Sequence, residues 1–145
     1  MKLYCFSSNS IENFDIGIKN KIWASPISSN DRTNKTRLTK SKKISKNDKG
    51  ILYCSENKFY SCPFLFENSP NEEMVISDVW EGNWILPFKF SFLGNELKKV
   101  PANYFNKHCG LSVKEIKGLT SPLTSYSAVD LSEETWEKIS EIFDI

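Results

Sequence analysis

The residues best suited to chemistry in this chain are tryptophans set among polar and cationic neighbours. Trp23 lies in Lys19-Asn20-Lys21-Ile22-Trp23-Ala24-Ser25-Pro26, just past a stretch with helical spacing, and Trp80 and Trp84 flank a Gly-Asn turn in Asp78-Val79-Trp80-Glu81-Gly82-Asn83-Trp84. A large π face in a polar segment stacks well on a nucleobase, at about 1–3 kcal/mol per base, and nearby cations suit the phosphates that come with it. Those cations follow at once. Between Asp31 and Lys49 stand eight basic and two acidic residues, a local charge of +6 in a chain whose total is +1, so the remainder carries −5. Charge concentrated in this way is the footprint of contact with a polyanion. The competing explanation for Trp23 is core packing, the commoner fate of a tryptophan at the end of a helix.

Other chemistries lack their residues. Cys5, Cys54, Cys62 and Cys109 stand far apart with no C-x-x-C pair, and His108 is the single histidine, so neither a tetrahedral zinc site nor another cofactor is expected. Cys5, Cys54 and Cys62 sit in apolar, strand-like runs, as small buried hydrophobes do in a reducing, cytoplasmic compartment. His108 beside Cys109 makes a poor nucleophile pair, since adjacent side chains rarely face each other productively. The sequence holds no glycine-rich phosphate loop, no apolar run of membrane-spanning length and no signal peptide. A chain of 145 residues, 39% apolar and 13% aromatic, is expected to fold as one domain over 1–145, which could be the N-terminal part of a longer protein.

The elements that must position these residues are legible in part. Residues 2–6 predict a strand, and Ile11, Phe14 and Ile18 recur at helical spacing over residues 11–20, behind small polar residues suited to capping. Residues 25–48 have the composition of a long loop with one helical turn at most. Residues 51–55 and 59–66 predict a hairpin across Glu56-Asn57-Lys58, with Pro63 marking an edge or a bulge. Residues 74–79 and 85–93 are further strands, and in the second Lys89 and Ser91 alternate with Phe88, Phe90 and Phe92. A short helix over 112–118 is expected to end at Gly118. Ser132 caps a last helix in which Leu131 and Trp136 form a hydrophobic staple, which makes Trp136 a core residue. This order points to an α+β fold with a curled antiparallel sheet, closing toward a small open barrel.

A first strand, a helix leading into Lys21-Ile22-Trp23-Ala24-Ser25, a hairpin after Gly50, a tryptophan-bearing loop and then Pro87-Phe88-Lys89-Phe90 together resemble the EVE and YTH families of the PUA-like superfold, over about residues 2–143. The resemblance implies a small curled β-barrel of about five or six strands flanked by helices. It also implies an aromatic cage that holds a modified base flipped out of its strand. Trp23 matches the cage tryptophan that follows the first helix, Trp80 matches the one in the later loop, and Trp84 is the alternate second wall. Ser25 falls where these families use a small polar residue beside the first wall, and Ser7, Ser8 and Asn9 match the polar run that reads the base edge. Asp78 is a candidate acceptor for an exocyclic N–H. The chain departs from YTH proteins at Phe6-Ser7, where Lys or Arg is usual. Its short C-terminal part looks more like EVE, and like the N-terminal modified-DNA-binding domains of McrBC-type restriction systems.

The function expected from the sequence is a non-enzymatic module that recognises a methylated base in double-stranded DNA by flipping it into the cage. Arg32, Arg37, Lys40, Lys42 and Lys43 would hold the phosphates, and a downstream motor or nuclease, as domain or subunit, would act with it in a restriction or defence system. Two alternatives stand beside it, a reader of modified RNA and an enzyme acting on nucleotides or nucleic acid. A buried methyl group adds only about 0.8 kcal/mol, so strong selectivity needs a polar contact as well.

Overall fold

The computed structural model describes residues 1–120 and 126–145. β1 (Lys2–Ser8) runs through the middle of the molecule, with Leu3 and Cys5 facing one apolar layer and Tyr4 and Phe6 the other. A strand can be apolar on both faces when each face is covered by a packed layer, as here. β1 lies parallel to β3 (Lys49–Cys54) and antiparallel to β9 (Tyr126–Asp130). Between them, α1 (Ile11–Asn20) starts at Ser10, whose side chain accepts a hydrogen bond from the Asn13 amide. It ends at Lys21, whose left-handed backbone (φ 53°) returns an amide to the carbonyls of Gly17 and Ile18 and turns the chain straight into β2 (Ile22–Pro26).

The predicted loop over residues 25–48 contains a helix instead, α2 (Asp31–Ser41). Apolar periodicity is nearly absent there, with Leu38 alone in the span, so the usual signal is missing. End chemistry substitutes for it: the Asn30 side chain accepts from the amides of Arg32 and Thr33, and Asp31 opens the first turn. Ser41 and, just beyond the helix, Ile44 are buried and dock its C-terminal end.

The expected hairpin forms, and Pro63 divides its second arm. β4 (Phe59–Ser61) pairs with β3 and with β8 (Lys99–Pro101), whereas β5 (Phe64–Phe66) pairs with β3 and with β7 (Trp84–Phe92). A two-residue strand, β6 (Val75–Ile76), lies along β7 and is shorter than the predicted 74–79. Among the described residues nine strands join one sheet, with the path β2-β7-β5-β3-β1-β9. The sheet is thus larger than expected and not closed into a barrel, and the parallel β1–β3 pair breaks the antiparallel scheme. α3 (Ala102–His108), α4 (Val113–Thr120) and α5 (Glu133–Phe143) contribute Phe105, Leu119, Ile139 and Phe143 to the layer that holds Leu3 and Cys5. Gly118 lies inside α4 rather than at its end. Trp136 packs partly buried against the same layer, as the staple predicts. α1 and the three other tryptophans belong to the opposite layer. Among the described residues no helix is long and apolar enough to cross a membrane, and no cluster of His, Cys, Asp or Glu could hold a metal ion.

Candidate nucleic-acid interface

Trp23 stands on β2 rather than at the mouth of a loop, and only 3% of its surface is exposed. Its ring rests on α1 at Gly17. A Cβ added there would come within 2.6 Å of ring atom Cε3, so the helix and the strand approach this closely because residue 17 has no side chain. β2 pairs with β7 as Trp23↔Phe88 and Ser25↔Ile85, leaving one residue on β2 opposite two on β7. This bulge holds Leu86 at φ 57°, a left-handed conformation that is costly for a side-chain-bearing residue, and it sets where β7 places Trp84 opposite Pro26.

Trp80 arrives from the segment before β7, and its indole N–H donates to the Asn13 carbonyl at 2.9 Å. The Trp84 indole donates to the Glu81 carbonyl at 3.0 Å across a turn in which Gly82 takes φ 87°. The three rings then touch one another. Trp23 and Trp80 meet edge to face with centroids 5.2 Å apart, Trp80 and Trp84 are tilted at 4.7 Å, and Trp23 and Trp84 meet edge to face at 6.2 Å. Core packing, the competing explanation offered by the sequence, therefore holds for these tryptophans, which are buried and form one cluster. A base sandwiched between parallel rings needs them about 7 Å apart, twice the ~3.5 Å contact distance. None of the pairs is parallel at that spacing, so a sandwich requires one ring to move.

Beside the cluster lies a cavity of about 280 Å³, lined on its apolar side by Trp23 and Trp84. That is close to the lower end of small-ligand pockets, the size of a single ring system rather than a chain. Trp80 does not line it but backs the other two rings. Ser25 is buried in β2, and Asp78 is exposed in the segment before Trp80; neither lines the cavity.

The polar side of the cavity divides into committed and uncommitted groups. The Ser8 hydroxyl donates to the Ser10 carbonyl, and Ser55, which also lines the cavity, donates to the Ser8 carbonyl through both amide and hydroxyl. Ser7, near the end of β1, and Asn9, just past it, also line the cavity. Asn13 is different. The residue lines the cavity; its backbone amide donates to Ser10 Oγ and its carbonyl accepts from Trp80, while its side-chain amide has no hydrogen-bond partner among the described residues. A carboxamide offers a donor and an acceptor side by side, the complement of an adenine edge. Sequence reasoning misses Asn13, although a signal exists: it precedes Gly17 by four residues and so stands one turn along the helix face that meets Trp23.

The expected phosphate contacts are distributed over α2. Arg37 reaches back to donate to the Pro26 carbonyl and lines the cavity. Arg32, Lys40 and Lys43 line an open groove on the outer face, together with Lys35, which the sequence reading leaves out. Lys42 caps the helix and lines neither. His108 and Cys109 lie elsewhere. His108 stacks on Tyr104 with its Nε2 3.8 Å from Glu141, and burial pushes the Cys109 thiol up to about 11, which keeps it from acting as a thiolate.

No protein-family model and no curated protein sequence matches this chain. Solved structures do. The YTH domain of the Zygosaccharomyces rouxii MRB1 protein, in complex with N6-methyladenosine RNA, superposes with a TM-score of 0.64 at 14% identity, covering 98% of this chain and 86% of that one. The fold is that of the YTH domains. The Pho92 YTH domain in complex with m6A gives a TM-score of 0.62 at 15% identity, with 99% and 84% covered. The Toxoplasma CPSF4 YTH domain in its apo form gives 0.55 at 13% identity, with 97% and 85% covered. Of the two families the sequence resembles, YTH is the one these structures represent.

Proposed function

We propose that the cavity beside Trp23 and Trp84 binds a modified base of a nucleic acid, with N6-methyladenine in RNA as its first candidate. The observation that carries this is the pairing of an indole wall with the uncommitted Asn13 amide in a cavity of one base's size. Stacking on the indoles supplies affinity and tolerates any base, whereas the Asn13 amide, with Ser7 and Asn9 at the rim, selects by edge. A methyl group placed against the tryptophans gains about 0.8 kcal/mol, roughly fourfold in affinity, and further discrimination comes from the edge contact. Trp80 acts by holding Trp23 and Trp84 in place and by fixing Asn13 through its carbonyl. The lining includes no carboxylate or imidazole to move a proton, which favours a binding module over an enzyme.

RNA takes first place over the DNA suggested by sequence because the Zygosaccharomyces rouxii MRB1 YTH domain holds N6-methyladenosine RNA and the Pho92 YTH domain holds m6A. A role in targeting a motor or nuclease to modified DNA follows only if DNA proves the preferred strand. The test is competition, at one salt concentration, between single-stranded RNA and DNA of the same sequence and a DNA duplex, each with and without one N6-methyladenine. Preference for methylated RNA supports the reading, and preference for the methylated duplex moves it to DNA. Equal binding of methylated and unmethylated strands in every arm would remove the base from the cavity.

A further inference from the structure

α2 carries a cationic face that the base cavity does not use. Arg32, Lys35, Lys40 and Lys43 line its groove with Thr36 and Thr39 between them, and no acidic residue lines it. Among the described residues no carboxylate pairs with Arg32, Lys35 or Lys43, although other lysines of the chain do find acidic partners, as Lys21 does with Glu96 and Lys99 with Asp15. Helical spacing explains the alignment, because residues 32, 35, 36, 39 and 40 recur three and four apart and share one side of the helix, and Lys43 follows in the turn after it. The arrangement is unfavourable for the helix alone. Arg32–Lys35 and Arg37–Lys40 are like-charged neighbours within the helix, and such pairs weaken a helix unless an anion neutralises them. The Thr36 and Thr39 hydroxyls donate to the carbonyls of Arg32 and Lys35, so the cations are the groove's donors to a ligand.

The face is also continuous with the cavity. Arg37 lines the cavity and Lys40, one turn along the helix, lines the groove. From Arg32 to Lys40 the helical rise spans about 12 Å, and Lys43 stands in the turn just past the helix, which together leave room for more than one phosphate of a strand. On the other rim of the cavity the neighbours are acidic: Glu12 precedes Asn13, and Glu56 follows Ser55 and accepts from the Ile11 amide. The surface is therefore polarised, cationic toward α2 and acidic toward the start of α1.

We infer that the outer face of α2 is a phosphate track that takes the strand flanking the bound base on one side only, so that the protein reads a modified base together with its 5′ or its 3′ neighbours but not both. The inference rests on the proposed base cavity for where the strand begins. Its partner is a single strand, held by charge and without regard to sequence.

The test uses single-stranded RNA 9-mers with N6-methyladenine at the first, central or last position, and an unmethylated 9-mer, titrated against the whole chain at several salt concentrations. One end-modified 9-mer should bind as tightly as the centrally modified one, and the other about tenfold more weakly, because its flank lies off the track. Lys35→Gln with Lys43→Gln should lower the slope of log affinity against log salt by about 1.4, two contacts at about 0.7 each. Lys117→Gln, on α4, serves as the control and should leave the slope unchanged. Equal binding of both end-modified strands overturns the one-sided track, and an unchanged slope in the double variant overturns the track altogether. Failure of the base cavity looks different: methylated and unmethylated 9-mers would bind alike while the double variant still lost slope.

Discussion

Replacing Gly17 by alanine tests how the site is built. In an ordinary helix interior this change stabilises by about 1 kcal/mol, since alanine is the better helix former and orders less backbone on folding. Here the new Cβ would lie 2.6 Å from Trp23 Cε3, 2.8 Å from Cζ3 and 3.1 Å from the Ile22 carbonyl oxygen. Ordinary carbon contacts are ~3.5 Å or more, so the ring must retreat by about 1 Å. That retreat is resisted, because the ring is buried and held by Trp80 and Trp84. Overpacking of this kind costs about 1–3 kcal/mol, which outweighs the helix gain and leaves a net loss of about 1 kcal/mol. For a chain of this length that is a fall in Tm of about 3 °C, read by far-UV circular dichroism. The same retreat narrows the cavity, and affinity for methyladenine RNA should fall about tenfold or more. In a Trp23→Phe background, which lacks the ring atoms that the Cβ meets, Gly17→Ala should become stabilising again, a coupling that a double-mutant cycle isolates. A rise in Tm on Gly17→Ala alone, with binding unchanged, would refute the packing of Trp23 on α1.

The other tests separate recognition from stability. Asn13→Ala should leave Tm within about 2 °C, because its side chain makes no hydrogen bond among the described residues, yet cost about 1–3 kcal/mol in binding adenine-containing sites; isothermal titration calorimetry measures it. Trp80→Ala should instead cost about 3–5 kcal/mol of folding stability by urea denaturation, as expected of a buried backing ring, and Trp80→Phe should recover most of it. Alkaline pH should destabilise the fold. Burial raises the Cys62 and Cys109 thiols from an ordinary 9.0 to about 11, and Cys5 and Tyr60 are pushed up as well. The unfolded chain then loses its protons first, so the stability these groups contribute is complete below pH 9 and lost as pH rises from about 9 through 11. A Tm that stays flat from pH 8 to 11 would contradict the buried thiols.

What the sequence discloses follows from which physical signals are local. α1 is legible from end to end because Ser10, Ile11, Phe14 and Ile18 combine a cap with a helical period. β7 is legible because Lys89 and Ser91 alternate with phenylalanines. α2 is hidden, since its stability comes from the Asn30 cap and docking at Ser41 rather than from an apolar stripe. β8, α3 and β9 are hidden because they are short or acquire their partners from distant strands. In the site, residue types identify the three tryptophans, yet their mutual contacts depend on the Leu86 bulge and on Gly17, features that only the tertiary pairing of β2 with β7 and α1 reveals. Asn13 goes unread for the same reason, because its place in the cavity lining beside Trp23 comes from the docking of α1 on β2.

The most direct test of the base cavity is to follow the four tryptophan indole N–H resonances by NMR during titration with a single-stranded RNA 9-mer carrying one central N6-methyladenine, and with its unmethylated counterpart. The account predicts that Trp23 and Trp84 shift most, that Trp80 responds through its bond to the Asn13 carbonyl, and that the methylated strand produces these shifts at lower concentration. Trp136, in the opposite layer, should not move. Shifts confined to other residues, or the same response to both strands, would contradict the assignment of the cavity to a modified base.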